Sequence, residues 1–81
     1  MTRLWFESVP IWMSASTCRH VSSVGEAARI LVEEWPDEFQ ASDKHTEAKK
    51  ACLAALKGKG DIEAAREAFV EAAREAGLLE E

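Results

Sequence analysis

The chain reads as one small α+β domain, an N-terminal β-hairpin packed on three helices in the order ββααα. Three observations predict it. Apolar residues recur at every second position from Val9 to Met13, which is a strand period. From Ser23 onward they recur at helical spacing, in three separate runs. Between those runs stand a Trp-Pro pair and a Gly-Lys-Gly link, both of which interrupt helices.

In the first strand Val9, Ile11 and Met13 alternate with Pro10, Trp12 and Ser14. Pro10 has no N–H to give, which places it at an edge or a strand start. Ser14-Ala15-Ser16-Thr17 is small and polar enough to turn, and Cys18 to Val21 supply a second short strand. A turn centred on Ala15 and Ser16 sets Trp12 opposite Arg19, where the indole can stack on the guanidinium. A two-stranded hairpin is marginal by itself in water. It must therefore rest on the helices, pair with another chain, or both. Residues 1–8 and 79–81 are expected to be the less ordered parts of a single domain spanning residues 1–81.

Ser23-Val24-Gly25-Glu26 is a capping box that starts the first helix. Val24, Ala28, Leu31 and Trp35 form its stripe, widened by Ala27 and Val32. Pro36 disfavours helical geometry at Trp35 and stops it there. A polar link, Asp37 to Ser42, carries one apolar anchor in Phe39. The second helix is expected from Asp43 to Lys57, with Ala48, Ala51, Cys52, Ala55 and Leu56 inward and Lys50 and Lys57 outward. The third, Asp61 to Gly77, is the clearest of all. Ile62, Ala65, Phe69, Ala72 and Ala76 share one stripe, with Glu63, Glu67, Glu71 and Arg74 opposite. Asp61 suits the N-cap, where a short carboxylate accepts from an unpaired N–H. Gly77 suits the left-handed residue that follows a helix. The short Gly58-Lys59-Gly60 link makes the last two helices an αα-hairpin.

At 81 residues the domain lies near the size at which one core stabilises only modestly. It has 22 large apolar residues and 14 alanines, which predicts a thin core with closely approaching helices. The depth is expected from Phe6, Trp12, Leu31, Trp35, Leu56 and Phe69. The net charge of −5 is uneven, with −3 up to Ser42, +3 from Asp43 to Gly60, and −5 thereafter. A basic helix beside an acidic one predicts an antiparallel pair with complementary rims. An acidic chain is a poor general binder of nucleic acid. The basic set of Lys44, Lys49, Lys50, Lys57 and Lys59 lies mostly on one outer helix face, without the interleaved aromatics such binding uses. Arg3 precedes an apolar run, but Glu7, Ser8 and Pro10 break it short of a secretory signal. Nothing approaches the roughly 20 apolar residues of a membrane span. A cytoplasmic chain with reduced Cys18 and Cys52 is the expectation.

Trp35-Pro36, Ala51-Cys52-Leu53 with Ala55-Leu56 and Gly58, and the run from Ala65 to Gly77 together resemble a known family. It is the small bacterial domain-of-unknown-function family numbered 982, and the similarity covers roughly Pro10 to Leu79. These are packing and capping signatures. The resemblance implies a compact stand-alone α+β protein and implies no activity, so it supplies no catalytic residues.

Candidate chemistry is sparse. Cys18 and His20 share a strand face, but His45 and Cys52 stand about 10.5 Å apart along their helix axis. Zinc donors lie about 2.0–2.3 Å from the ion, so that pair does not close on one metal. Cys52 sits in the alanine stripe and reads as a small buried filler. Cys18, on a short edge strand, is the more exposed thiol. Glu33/Glu34 and Glu67/Glu71 lie on solvated faces, without the burial that a general acid requires. Gly58-Lys59-Gly60 lacks the Walker pattern. No catalytic, cofactor or metal site is expected. Trp12 is expected to pack on the helices, while Trp5, between Leu4 and Phe6, belongs to a more exposed aromatic cluster. Trp5, Trp12, Arg19 and His20 are the candidate interaction residues, because aromatics with arginine commonly anchor protein interfaces. The leading expectation is a non-enzymatic interaction module, a homodimer through the hairpin or a binder of another protein. The rivals are a small-ligand regulator with a pocket lined by Trp12, His20 and Trp35, and a redox-sensitive protein acting through Cys18.

Overall fold

The computed structural model describes residues 5–14 and 16–80. Strand β1 runs Trp5–Ser14 and β2 Thr17–Ser23. Helices α1, α2 and α3 follow at Val24–Glu33, Asp43–Leu56 and Ile62–Glu75, with a single 3₁₀ turn at Asp37–Phe39. The order is ββααα, as the periodicities predict.

β1 and β2 pair antiparallel, with Val9 opposite Val21, Ile11 opposite Arg19 and Trp12 opposite Cys18. The register shifts by one residue between Trp12 and Ser14, so Met13 is an extra residue on β1. That bulge moves Trp12 from Arg19 to Cys18 and sends the two expected partners to opposite faces. Val9, Ile11 and Val21 form the buried inner face. It rests on α3 beneath β1 and on α1 beneath β2, while α2 packs against both helices.

β1 also has company on its other edge. The chain returns after α3 so that Leu79 bridges Ile11 antiparallel. Trp12 donates to the Leu78 carbonyl at 2.7 Å, and Glu80 donates to the Pro10 carbonyl at 3.0 Å. Pro10 has no N–H on that side, so the ladder stops there. Farther along the same strand, Arg66 Nε of α3 donates to the Glu7 carbonyl at 3.0 Å. Residues 5–8 thus form the first part of β1, and residues 79–80 are tied to its middle.

Each helix start is capped, at Ser23 and Asp61 as the sequence implies and at Ser42 as well. Ser23 and Ser42 accept from the N–H groups of Glu26 and His45, both at 3.1 Å, and Asp61 accepts from Glu63 at 3.3 Å. Both later helices end in a left-handed glycine, Gly58 at φ 76° and Gly77 at φ 73°. Lys59 donates to the Ala54 carbonyl and Leu78 to that of Ala73, each at 2.9 Å. This wide turn reverses the chain after α2 and aims it at β1 after α3. Gly60 is needed for a different reason. A Cβ there would lie 3.0 Å from that of Ala54 and 3.1 Å from the Ala55 nitrogen.

Of the six residues expected to give the core its depth, Phe6, Leu31, Trp35 and Phe69 do so. Trp12 and Leu56 do not, each being 38% exposed. Trp12 alternates with the inward Ile11, so a period of two turns it outward. Leu56 is the last residue of α2, beside the glycine link. Val9, Ile11, Val21 and Ile30 fill the space instead, with Ala48, Ala55, Ala65, Ala72 and Ala73 lining the helix contacts. The rims are not stitched as expected. The ion pairs recorded among the described residues join Arg19 to Glu26 and Glu34, Arg29 to Glu34, and Arg74 to Glu71. None links an α2 lysine to an α3 glutamate, because Lys50 and Lys57 lie on the face of α2 away from the packed stripe.

Phe69 is fully buried at the centre of this arrangement. Phe69→Ala is expected to cost about 3–5 kcal/mol, a large share of a small domain's stability, measured by urea unfolding. Gly60→Ala is expected to cost about 1–3 kcal/mol through overpacking; an unchanged midpoint would show that the link has room to yield.

Candidate interaction surface

The hairpin has two unlike faces. On the inner one, Arg19 reaches α1, 2.9 Å from Glu26 and 3.9 Å from Glu34. On the outer one, strand alternation places Pro10 and Trp12 of β1 beside Cys18 and His20 of β2. Trp5, at the far end of β1, is 67% exposed. Of the four expected interaction residues, Trp5, Trp12 and His20 are exposed to solvent. Arg19 is not part of the outer set. It pairs opposite Ile11, and its charge is engaged by α1.

Cys18 is only partly exposed, and its Sγ donates to Glu80 Oε2 at 2.7 Å. That carboxylate belongs to the returning C-terminal segment, so the contact crosses the outer face above β1. The hydrogen bond to Glu80, with some burial and the adjacent negative charge, raises the Cys18 thiol above its ordinary value. A nucleophilic cysteine needs the opposite setting, electropositive and with a lowered pKa.

The interior holds a polar arrangement that the sequence reading missed. His45, in the first turn of α2, is buried, and its Nε2 lies 2.7 Å from the Leu31 carbonyl. A carbonyl only accepts, so Nε2 carries the proton. Leu31 lies in the last turn of α1, whose carbonyls have no partner within the helix. His45 therefore caps α1 from α2. Trp35, 3% exposed, sits between the His45 and Phe69 rings, with centroids 5.8 Å from each. Gln40 Nε2 donates to the Trp35 carbonyl at 2.9 Å and holds the turn after α1. The signal was available, because His45 stands three and seven residues before Ala48 and Cys52 on the inward stripe.

Cys52, two turns farther along α2, is buried as well, and burial pushes its thiol from the ordinary 9.0 up to about 11. Among the described residues no three of His, Cys, Asp or Glu come together in a way that could hold a metal ion. The pocket expected between hairpin and helices does not form around its three named residues. Trp35 is in the core, while Trp12 and His20 lie on the outer face. A depression of about 290 Å³ lies instead on α3, lined by Arg66, Glu67, Val70 and Glu71. The lysines at positions 44, 50, 57 and 59 are exposed.

The fold defines a small α+β protein whose hairpin is covered on one face only. The chain belongs to the family described as "Protein of unknown function (DUF982)", whose model matches residues 7–80. No curated protein and no solved structure matches it. Among the described residues no helix is long and apolar enough to cross a membrane.

Two outcomes follow from the buried polar groups. His45→Phe keeps a ring but orphans the Leu31 carbonyl, and is expected to cost about 1–3 kcal/mol in urea unfolding. The raised Cys52 thiol keeps the fold neutral there while the unfolded chain ionises. Its contribution is therefore whole below pH 9.0 and is lost as pH rises through about 11. Cys52→Ala should flatten that alkaline fall in stability, and an equally steep fall would assign it to other groups.

Proposed function

We propose that this protein is a non-enzymatic interaction module of the cytoplasm that works through the outer side of its hairpin, in the first instance on a second copy of itself. The observation that carries this reading is the exposure of two tryptophans on one strand, Trp5 at 67% and Trp12 at 38%, the latter on the hairpin's uncovered face. The same hairpin's inner face is sealed by Val9, Ile11 and Val21. Tryptophan offers large apolar area at little conformational cost and is enriched among residues that dominate binding energy. His20 contributes a polar neighbour on the same face.

Binding rather than catalysis is favoured by the thiols. Both are shifted toward the unreactive neutral form. They are unbridged as well, which suits a reducing compartment.

The test is sedimentation with intrinsic fluorescence, from about 1 to 200 µM chain, since association follows mass action. Self-association with a concentration-dependent blue shift is expected. The double variant Trp5→Ser, Trp12→Thr should abolish both, and it should lower the urea midpoint less than Phe69→Ala does. A wild-type chain that stays monomeric, with unshifted emission throughout, would contradict the reading.

A further inference from the structure

The hydrogen-bond directions of the hairpin single out its open edge. In an antiparallel strand the N–H and C=O of one residue point to the same side, and the side alternates along the chain. Trp12 donates to Leu78 and Pro10 accepts from Glu80, so residues 10 and 12 face the C-terminal segment. Val9 and Ile11 then face β2, and their partners Val21 and Arg19 face β1. Cys18, His20 and Ser22 are left with main-chain groups aimed away from the sheet. Among the described residues those groups have no main-chain partner.

Sheet edges are ordinarily blunted by proline, lysine, bulges or a covering segment. The outer edge of β1 has such cover in the Leu78–Glu80 segment and Arg66. β2 has none of it. No proline, glycine or lysine occurs from Thr17 to Ser23, and its one formal charge, Arg19, is turned inward and paired with Glu26. On a chain of net charge −5, where copies repel, this strand is a neutral window.

We infer that two copies join antiparallel along β2, about a two-fold axis at His20, to form one continuous sheet. In that register His20 exchanges both main-chain bonds with the partner's His20. Cys18 pairs in the same way with the partner's Ser22, and Ser22 with the partner's Cys18. Every open edge group of these three residues is satisfied. Such self-complementarity is what a two-fold interface requires. The side chains brought opposite each other on the outer face are those of Cys18, His20 and Ser22, with no Lys, Arg, Asp or Glu among them. On the inner face Arg19 meets the partner's Val21. The inference rests on the interaction reading above but assigns the contact to a strand edge rather than to the tryptophans.

Amide hydrogen exchange of the full chain, read residue by residue across about 1–200 µM, tests it. The amides of Cys18, His20 and Ser22 are expected to slow at least about tenfold at the high end, while Arg19 and Val21 stay slow throughout. His20→Pro removes an N–H that makes no bond within the monomer and should abolish the dimer, whereas His20→Thr should keep it. A chain monomeric across the range overturns the inference, and so does a dimer whose three amides still exchange fast. In the latter case, loss of that dimer in the Trp5→Ser, Trp12→Thr variant leaves the surface reading standing. A dimer sensitive to His20→Pro but indifferent to the tryptophans supports the edge and counts against the surface. If His20→Pro fails to fold, exchange in the wild-type chain decides.

Discussion

Strand β1 is held along both of its edges, and the rest of the molecule is arranged around that fact. β2 occupies one edge through a short turn, and Leu78–Glu80 reach the other after the whole helical layer has been traversed. Sequence neighbours and the far end of the chain thus meet on one strand. A bare hairpin would be marginal in water. This one is closed by a segment positioned by α3 and its left-handed Gly77. With both edges of β1 occupied, the outer face and the outer edge of β2 are what the hairpin leaves open among the described residues.

The helical layer seals the inner face of the hairpin. Phe69 and Trp35 supply the bulk, and buried alanines let α2 and α3 pack over their length. Two polar side chains near Trp35, the buried His45 and the exposed Gln40, are spent on architecture. His45 caps the carbonyl end of α1, and Gln40 fixes the turn that follows Trp35. The Trp35 Nε1 and His45 Nδ1 atoms are buried without a hydrogen-bond partner among the described residues. They mark the place where this core tolerates an imperfection in exchange for the ring contacts around Trp35. Each unmet group of that kind costs about 1–3 kcal/mol, so the surrounding burial must be worth more.

Much of this was legible in the chain. The three helices, the Ser23 and Asp61 caps and both glycine ends follow from local chemistry, because a cap needs only residues within one turn of itself. The αα-hairpin follows from the length of its link. What was not legible depends on distant parts of the chain. The Met13 bulge that separates Trp12 from Arg19 has no local signal, and Met13 packs against a core built mostly from distant residues. The return of Leu78–Glu80 to β1 joins segments more than sixty residues apart, and no periodicity in so short a segment announces it. His45 was weighed as a metal ligand rather than as a cap, since the carbonyl it meets belongs to another helix. Trp12 is the instructive case. Its size points to the core, but its alternation with Ile11 turns it outward, and position prevails. On the candidate surface, the exposure of Trp12 and His20 follows from strand period, while the inward place of Arg19 depends on the register shift at Met13.

The C-terminal segment seals one side of β1, and without it the hairpin would have two open edges instead of one. Amide exchange of Trp12 and Glu80 in dilute, monomeric protein reads this directly. Exchange of both as slow as that of Val21, which lies in the buried heart of the hairpin, is the result the structure requires. Exchange as fast as that of His20 on the open edge would mean that the segment is not bound there.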